Sequence, residues 1–403
     1  MTSSTDPMMG RDPRLDFFRG LAMLIIFIAH VPTNKWIWYI PARFGFSDAT
    51  EMFVFLSGMA SSIAFGGAFR RGGFAVGSAR IGYRCWQIYA CHLGLFFALA
   101  AMCAGFNFLF ESPDYIARLN LGRFFNNTQE AIVHLVTLRY VPNYFDILPM
   151  YMVALALVPI VMLLSRVHIL LAPAASVALY IAMWIFDLEF VADTTIDRPW
   201  FFNPFGWQLI FFTGFVIGMG WVKLPKPTVP LVAACVVFII LCIPVSHWPT
   251  YSKIEWLSEI RESLKPFIVK TNFGILRWVH FMALAYLIVI ALRGREWILR
   301  SRIAAPFVKT GQNALPVFLM SMAMAYTAGM VLDRIGRNDL NFALVNISGL
   351  ILLIALAYMF GWFKSTPWRK RPGGTPTTEK TTSKQREEYS RPWHTAETAV
   401  NTN

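Results

Sequence analysis

Apolar residues along this chain gather into long, nearly unbroken runs separated by short polar stretches. The runs are too continuous for the alternating strands of an outer-membrane barrel, and they suit the roughly 20 residues that a helix needs to cross a bilayer. Ten spans are expected, near residues 16–32, 48–66, 86–110, 147–165, 168–186, 206–222, 228–246, 273–292, 311–332 and 342–363. The second and ninth carry polar residues and small gaps. The pattern predicts an all-α, polytopic membrane protein. The first run has no small-residue cleavage site behind it, so it is expected to stay as a helix.

The polar stretches carry their own patterns. Ile254, Leu257, Ile260, Leu264 and Ile268 recur every three or four positions, which predicts an amphipathic helix on the outer face. Residues 111–146 show a weaker version of the same period. Asp197-Arg198-Pro199-Trp200-Phe201-Phe202-Asn203-Pro204 is an aromatic, turn-rich stretch at an outer boundary. Residues 372–403 have no apolar period and read as a disordered tail. The expected organisation is a cytoplasmic segment over 1–13, a membrane domain over 14–363 and a cytoplasmic tail over 364–403.

Composition agrees. Of 403 residues, 56% are hydrophobic, and the mean hydropathy is +0.50, beyond what a soluble domain of this size carries. The formal charge of +13 does not point to nucleic acid, because the basic residues follow the spans. Arg11, Arg14, Arg19, Arg70, Arg71, Arg80, Arg84, Arg166, Lys223, Lys226, Arg293 and Arg300 fall before the first span and in every second loop. Acidic residues such as Glu111, Asp114, Asp187, Asp193 and Glu259 fill the others. By the positive-inside rule both termini are expected to be cytoplasmic. Cys85, Cys91, Cys103, Cys235 and Cys242 lie in or beside apolar runs and read as small hydrophobes.

Ionisable groups inside the spans are the candidate chemistry, since a membrane interior tolerates them at a cost that function can justify. Arg19 and His30 are eleven residues apart on the first span. That is nearly three turns, so they share a face about 16 Å apart. Asp48 and Glu51, three apart at the start of the second span, lie level with His30. An imidazole beside a carboxylate is a general-base arrangement. The plainer readings are a carbonyl-bonded His30, an N-cap at Asp48 and a dipole-favoured acid at Glu51. Arg14, Asp16, Arg19 and Arg84 form an inner-face group suited to an anion, or merely obeying the charge rule. His92 is polar at depth, and Asn313 opens a span where capping is the plainer reading. Trp36, Trp38, Tyr39 and Trp200 fit an aromatic belt. No phosphate-binding glycine loop, metal-spaced cluster or nucleophile elbow is present.

These residues carry a resemblance. Arg19 to His30 is similar to the Arg-x10-His pattern of acyltransferase-3-type membrane acyltransferases, and Phe53-Val54-Phe55-Leu56-Ser57-Gly58 resembles their second-helix signature. The finer resemblance is to the OpgC family, succinyltransferases of osmoregulated periplasmic glucans. It rests on residues 11–20, on Phe46-Ser47-Asp48-Ala49-Thr50-Glu51, on Leu148-Pro149-Met150-Tyr151 and on Phe202-Asn203-Pro204-Phe205-Gly206-Trp207-Gln208.

The resemblance implies acyl transfer, succinyl by expectation, from a cytoplasmic acyl-CoA to a hydroxyl of a periplasmic glucan, with no bound cofactor or metal. It makes His30, Asp48 and Glu51 the candidate catalytic residues. Arg14, Asp16, Arg19, Arg84, Asn203, Trp207, Gln208 and Asn313 are the candidate substrate-binding residues. Ala29 stands where the family pair has Asp, which leaves the orientation of His30 to Asp48 or Glu51. A transporter of an anionic solute, using His30, Asp48 and Glu51 as a proton relay, is the alternative. Against it, no inverted repeat is visible.

Overall fold

The computed structural model describes residues 12–110 and 113–368. Arg11, Glu111, most of the 1–13 segment and the 372–403 tail lie outside the described residues. Sixteen helices follow in order: α1 Pro13–His30, α2 Ala49–Leu109, α3 Tyr115–Arg118, α4 Gly122–Asn126, α5 Thr128–Val136, α6 Ile147–Ala156, α7 Val158–Val167, α8 Leu171–Phe186, α9 Pro204–Gly218, α10 Val229–Ser246, α11 Trp248–Tyr251, α12 Glu255–Ile268, α13 Ile275–Leu292, α14 Ala305–Gln312, α15 Ala314–Ile335 and α16 Asp339–Lys364. A short antiparallel pair, β1 Val191–Asp193 and β2 Arg198–Pro199, precedes α9.

Helix occupies every one of the ten expected spans. Six segments are long and apolar enough to cross a membrane: Ala49–Leu109, Ile147–Val167, Val229–Ser246, Ile275–Leu292, Ala314–Ile335 and Asp339–Lys364. Two more apolar helices, α8 and α9, are shorter. On α10 and α16 large apolar side chains face outward, among them Leu241 at 63% and Ile351 at 63% exposure. In water such faces would aggregate; hydrocarbon accepts them.

Two expectations change. The polar loop expected between the second and third spans is helical, and α2 runs through it. Gly73, at φ 73° and ψ −173°, breaks the helix into arms over 49–72 and 74–109. Only glycine adopts that conformation without strain. A Cβ on Gly77 would meet the ring of Phe69. Along a straight helix those residues are about 12 Å apart, so the arms fold back on one another. The ninth span is likewise broken at Asn313, between α14 and α15. The amphipathic helix is present as α12, and its Leu257, Leu264 and Ile268 pack on Phe46, Cys242, Val245 and Leu276.

Two helix crossings are close enough to bring backbones together. A Cβ on Gly20 of α1 would fall on the carbonyl oxygen of Phe307, and one on Gly311 of α14 would fall on that of Asp16. The second crossing repeats the arrangement: Gly58 of α2 meets Phe211, and Gly214 of α9 meets Phe55. Lipid supplies no hydrophobic drive between helices, so close van der Waals approach at small residues must hold them. Gly58→Val is expected to destabilise the protein by about 1–3 kcal/mol or prevent its folding. Gly82→Ala, at an exposed position where an added Cβ meets nothing within 4 Å, is expected to be neutral or slightly stabilising. Thermal unfolding in detergent compares the two.

Candidate active site

His30 closes α1. Its Nδ1 lies 2.7 Å from the carbonyl oxygen of Ile26, one turn back. A carbonyl only accepts, so Nδ1 carries the hydrogen and donates it. Nε2 is then the nitrogen with the free lone pair. The imidazole borders a cavity of about 510 Å³, lined also by Ala29, Asp48, Asn143, Tyr144, Asp146, Arg198 and Lys270. Tyr144 meets the His30 ring edge-on at 5.5 Å between centroids and the ring of Tyr326 at 5.8 Å. Its backbone sits at φ 73°, a conformation that costs a bulky residue roughly 1–3 kcal/mol and that clusters at functional sites.

The wall holding Tyr144 is pinned by a network. Val141 N–H donates to the Ala192 carbonyl at 2.8 Å, and Arg198 of β2 donates to the Val141 carbonyl. Arg123 binds Asp193 at 2.7 Å and Glu130 at 2.6 Å. Burial alone would raise the Asp193 pKa, but hydrogen bonds from Thr195 and the Arg123 charge hold it below the ordinary value.

Among the described residues neither Asp48 nor Glu51 is hydrogen-bonded to His30. They form a capping box at the start of α2: Thr50 N–H donates to Asp48 at 2.7 Å, and Asp48 N–H donates to Glu51 at 2.7 Å. Their remaining oxygens face cations. Lys270 Nζ lies 2.6 Å from Asp48 Oδ2, and Arg277 lies 2.6 Å from Glu51 Oε1 and 3.4 Å from Asp48 Oδ2. Glu51 is fully buried and Arg277 nearly so. Asp48 still borders the His30 cavity beside Lys270, while Glu51 lies behind it. The carbonyl of Ile26 does the orienting expected of a carboxylate, which is how Ala29 can stand where an acid was expected.

A second cavity, of about 430 Å³, holds Arg19, Arg80, Tyr83, Arg84, Gln87, Ser57, Ser61 and Tyr151 between the two arms of α2. Arg19 donates to the Leu56 carbonyl at 2.9 Å, and Arg84 to Gln87 at 3.1 Å. The structure therefore brings Arg19 and Arg84 together, as the sequence suggested, and adds Arg80, which sequence reasoning passed over because the second and third spans were read as separate.

The other candidates make contacts within the fold. Arg14 forks onto Asp12 at 2.8–3.0 Å and borders neither cavity. Asp16 is buried where α1 crosses α14. Asn203 caps α9 and donates to Leu188 and Asn272. Gln208 is buried against Ser176. Asn313 donates to the Lys309 and Ala357 carbonyls across the helix break. Trp207 acts at one remove: its Nε1 donates to the Lys270 carbonyl at 2.9 Å, fixing the lysine that meets Asp48. His92 is fully buried, with no side-chain hydrogen bond and the ring of Phe145 at its edge. The cations missed in the sequence, Lys270 and Arg277, carried a usable signal: Arg277 lies inside an expected span, where a charge needs a partner. Among the described residues no group of His, Cys, Asp and Glu is arranged to hold a metal ion.

A protein-family model described as OpgC protein matches residues 11–365. The chain belongs to the OpgC family. No curated protein and no solved structure matches it. Membership in OpgC, with the apolar helices, indicates a membrane acyltransferase that modifies a glucan.

The buried ion cluster yields a stability test. Arg277→Met removes the cation that faces fully buried Glu51, so a loss of about 3–5 kcal/mol is expected. Arg277→Met combined with Glu51→Met is expected to recover most of that loss, measured by denaturation in detergent. Equal instability of single and double variants would show that the pairing is not what matters.

Proposed function

We propose that this OpgC-family protein takes an acyl group, succinyl by family resemblance, from acyl-CoA on the cytoplasmic side and places it on a hydroxyl of a periplasmic glucan. The observation that carries the reading is His30: its Nδ1–H is committed to Ile26, which leaves Nε2 as the basic nitrogen, and the residue borders a roomy cavity. Arg19, Arg80 and Arg84 border the other cavity, where charge-assisted hydrogen bonds would hold the phosphates of the donor. The rise of about 16 Å from Arg19 to His30 suits an extended pantetheine arm. The Arg19–His30 spacing also supports kinship with acyltransferase-3-type enzymes.

In the proposed step, His30 Nε2 takes the proton from a sugar hydroxyl as its oxygen attacks the thioester carbonyl. The new C–O bond forms, the C–S bond breaks, and the coenzyme A thiolate recovers the proton from the imidazolium. Asp48 and Lys270, on the same cavity wall, are placed to meet neighbouring sugar hydroxyls. The apolar helices support a membrane location, the family resemblance a bacterial inner membrane, and the charge pattern of the loops cytoplasmic termini.

Proteoliposomes given labelled succinyl-CoA on one side and glucan on the other test the reading. His30→Ala is expected to lower transfer by roughly 10²–10⁴. Arg19→Ala is expected to raise the KM for acyl-CoA by roughly tenfold or more, the worth of one hydrogen bond to a charge. Transfer that survives His30→Ala, or solute flux with no transfer, would overturn it.

A further inference from the structure

Ile147 and Phe318 border both cavities. Ile147 opens α6, and Phe318 lies in the second turn of α15. Both are buried, at 7% and 2% exposure. Phe53, on the arginine side only, stacks on Phe318 with ring centroids 6.1 Å apart and planes inclined by 15°. Among the described residues no other borders both spaces, so at these two side chains the partition is a single layer thick. It contains no charged or hydrogen-bonding side chain.

The backbone behind the partition is tied at two points. The break at Asn313 is tied to Lys309 and Ala357 by side-chain hydrogen bonds, and the α1–α14 crossing locks the helix before it. Opening then falls to the Phe318 side chain, whose rotation moves a whole ring. An apolar partition also has a selective property. While closed, it is costly for any hydrated charge to cross, the carboxylate of a succinyl group included, so a charged acyl end passes only when the ring has swung aside.

We propose that Phe318, backed by Phe53 and facing Ile147, is a side-chain gate between the two cavities, and that the space it clears sets the size of acyl group that reaches His30. The proposal rests on the acyl-transfer reading above, and its test separates the two.

Ala29→Cys places a thiol in the histidine cavity. A charged thiol reagent is applied to oriented vesicles from the arginine-cavity side, and labelling at position 29 is followed by mass spectrometry. With Phe318 present, labelling is expected to be about tenfold or more slower than with Phe318→Ala or Phe318→Leu, as for an open rotamer populated a tenth of the time or less. Reagent from the histidine-cavity side is expected to label both equally, which confirms that the variants are folded. In transfer assays, Phe318→Ala is expected to shift the kcat/KM ratio of octanoyl-CoA to acetyl-CoA by about tenfold or more. Equal labelling with and without Phe318 overturns the gate, and an unchanged acyl preference overturns its role in selection. Absence of transfer with every donor overturns the acyl-transfer reading while the labelling result still decides the gate.

Discussion

Asp48, Glu51, Lys270 and Arg277 meet where α2 and α13 begin, and the placement of the candidate site depends on that meeting. Two carboxylates in a poorly solvated interior raise the energy of the fold unless each has a cation and a hydrogen bond. Both conditions hold: the capping box supplies backbone donors, and Lys270 and Arg277 supply charge. The cluster fixes the start of α2 at the level of His30, and the Trp207 hydrogen bond extends the hold to α9. Within this frame the carbonyl one turn back, rather than a carboxylate, is the hydrogen-bond partner of His30 Nδ1.

Glycine does the complementary work. Reciprocal glycines let α1 meet α14 and α2 meet α9 at backbone distance, which packs the bundle without apolar bulk. The reversal at Gly73 then folds α2 against itself, so that Arg80 and Arg84 on the second arm face Arg19 across a space walled by the first. Arg19, Arg80 and Arg84 border one cavity, His30, Asp48, Asp146, Lys270, Arg43 and Arg198 border the other, and Phe318 and Ile147 stand between.

Much of this was legible beforehand. Every expected span is helical because a long apolar run in lipid has only one way to satisfy its backbone. Arg19 and His30 stand out because charge at depth is costly. The α2 hairpin was not legible, since a glycine-rich, arginine-bearing stretch reads equally as loop or helix until Gly73 is seen at positive φ. Nor were the partners of Asp48 and Glu51, which lie more than 220 positions later in the chain. Asn203, Trp207 and Gln208 came forward through resemblance, and the structure gives them capping, anchoring and packing contacts. Sequence pattern marks which polar residues are unusual; only the packing shows which of them face an open space.

The most direct measurement is an experimental structure of the protein in a lipid nanodisc with a non-hydrolysable acyl-CoA analogue. The expected result places the nucleotide phosphates beside Arg19, Arg80 and Arg84, with the acyl end past Phe318 next to His30 Nε2. Phosphates in the histidine cavity, or an acyl end directed away from His30, would contradict it.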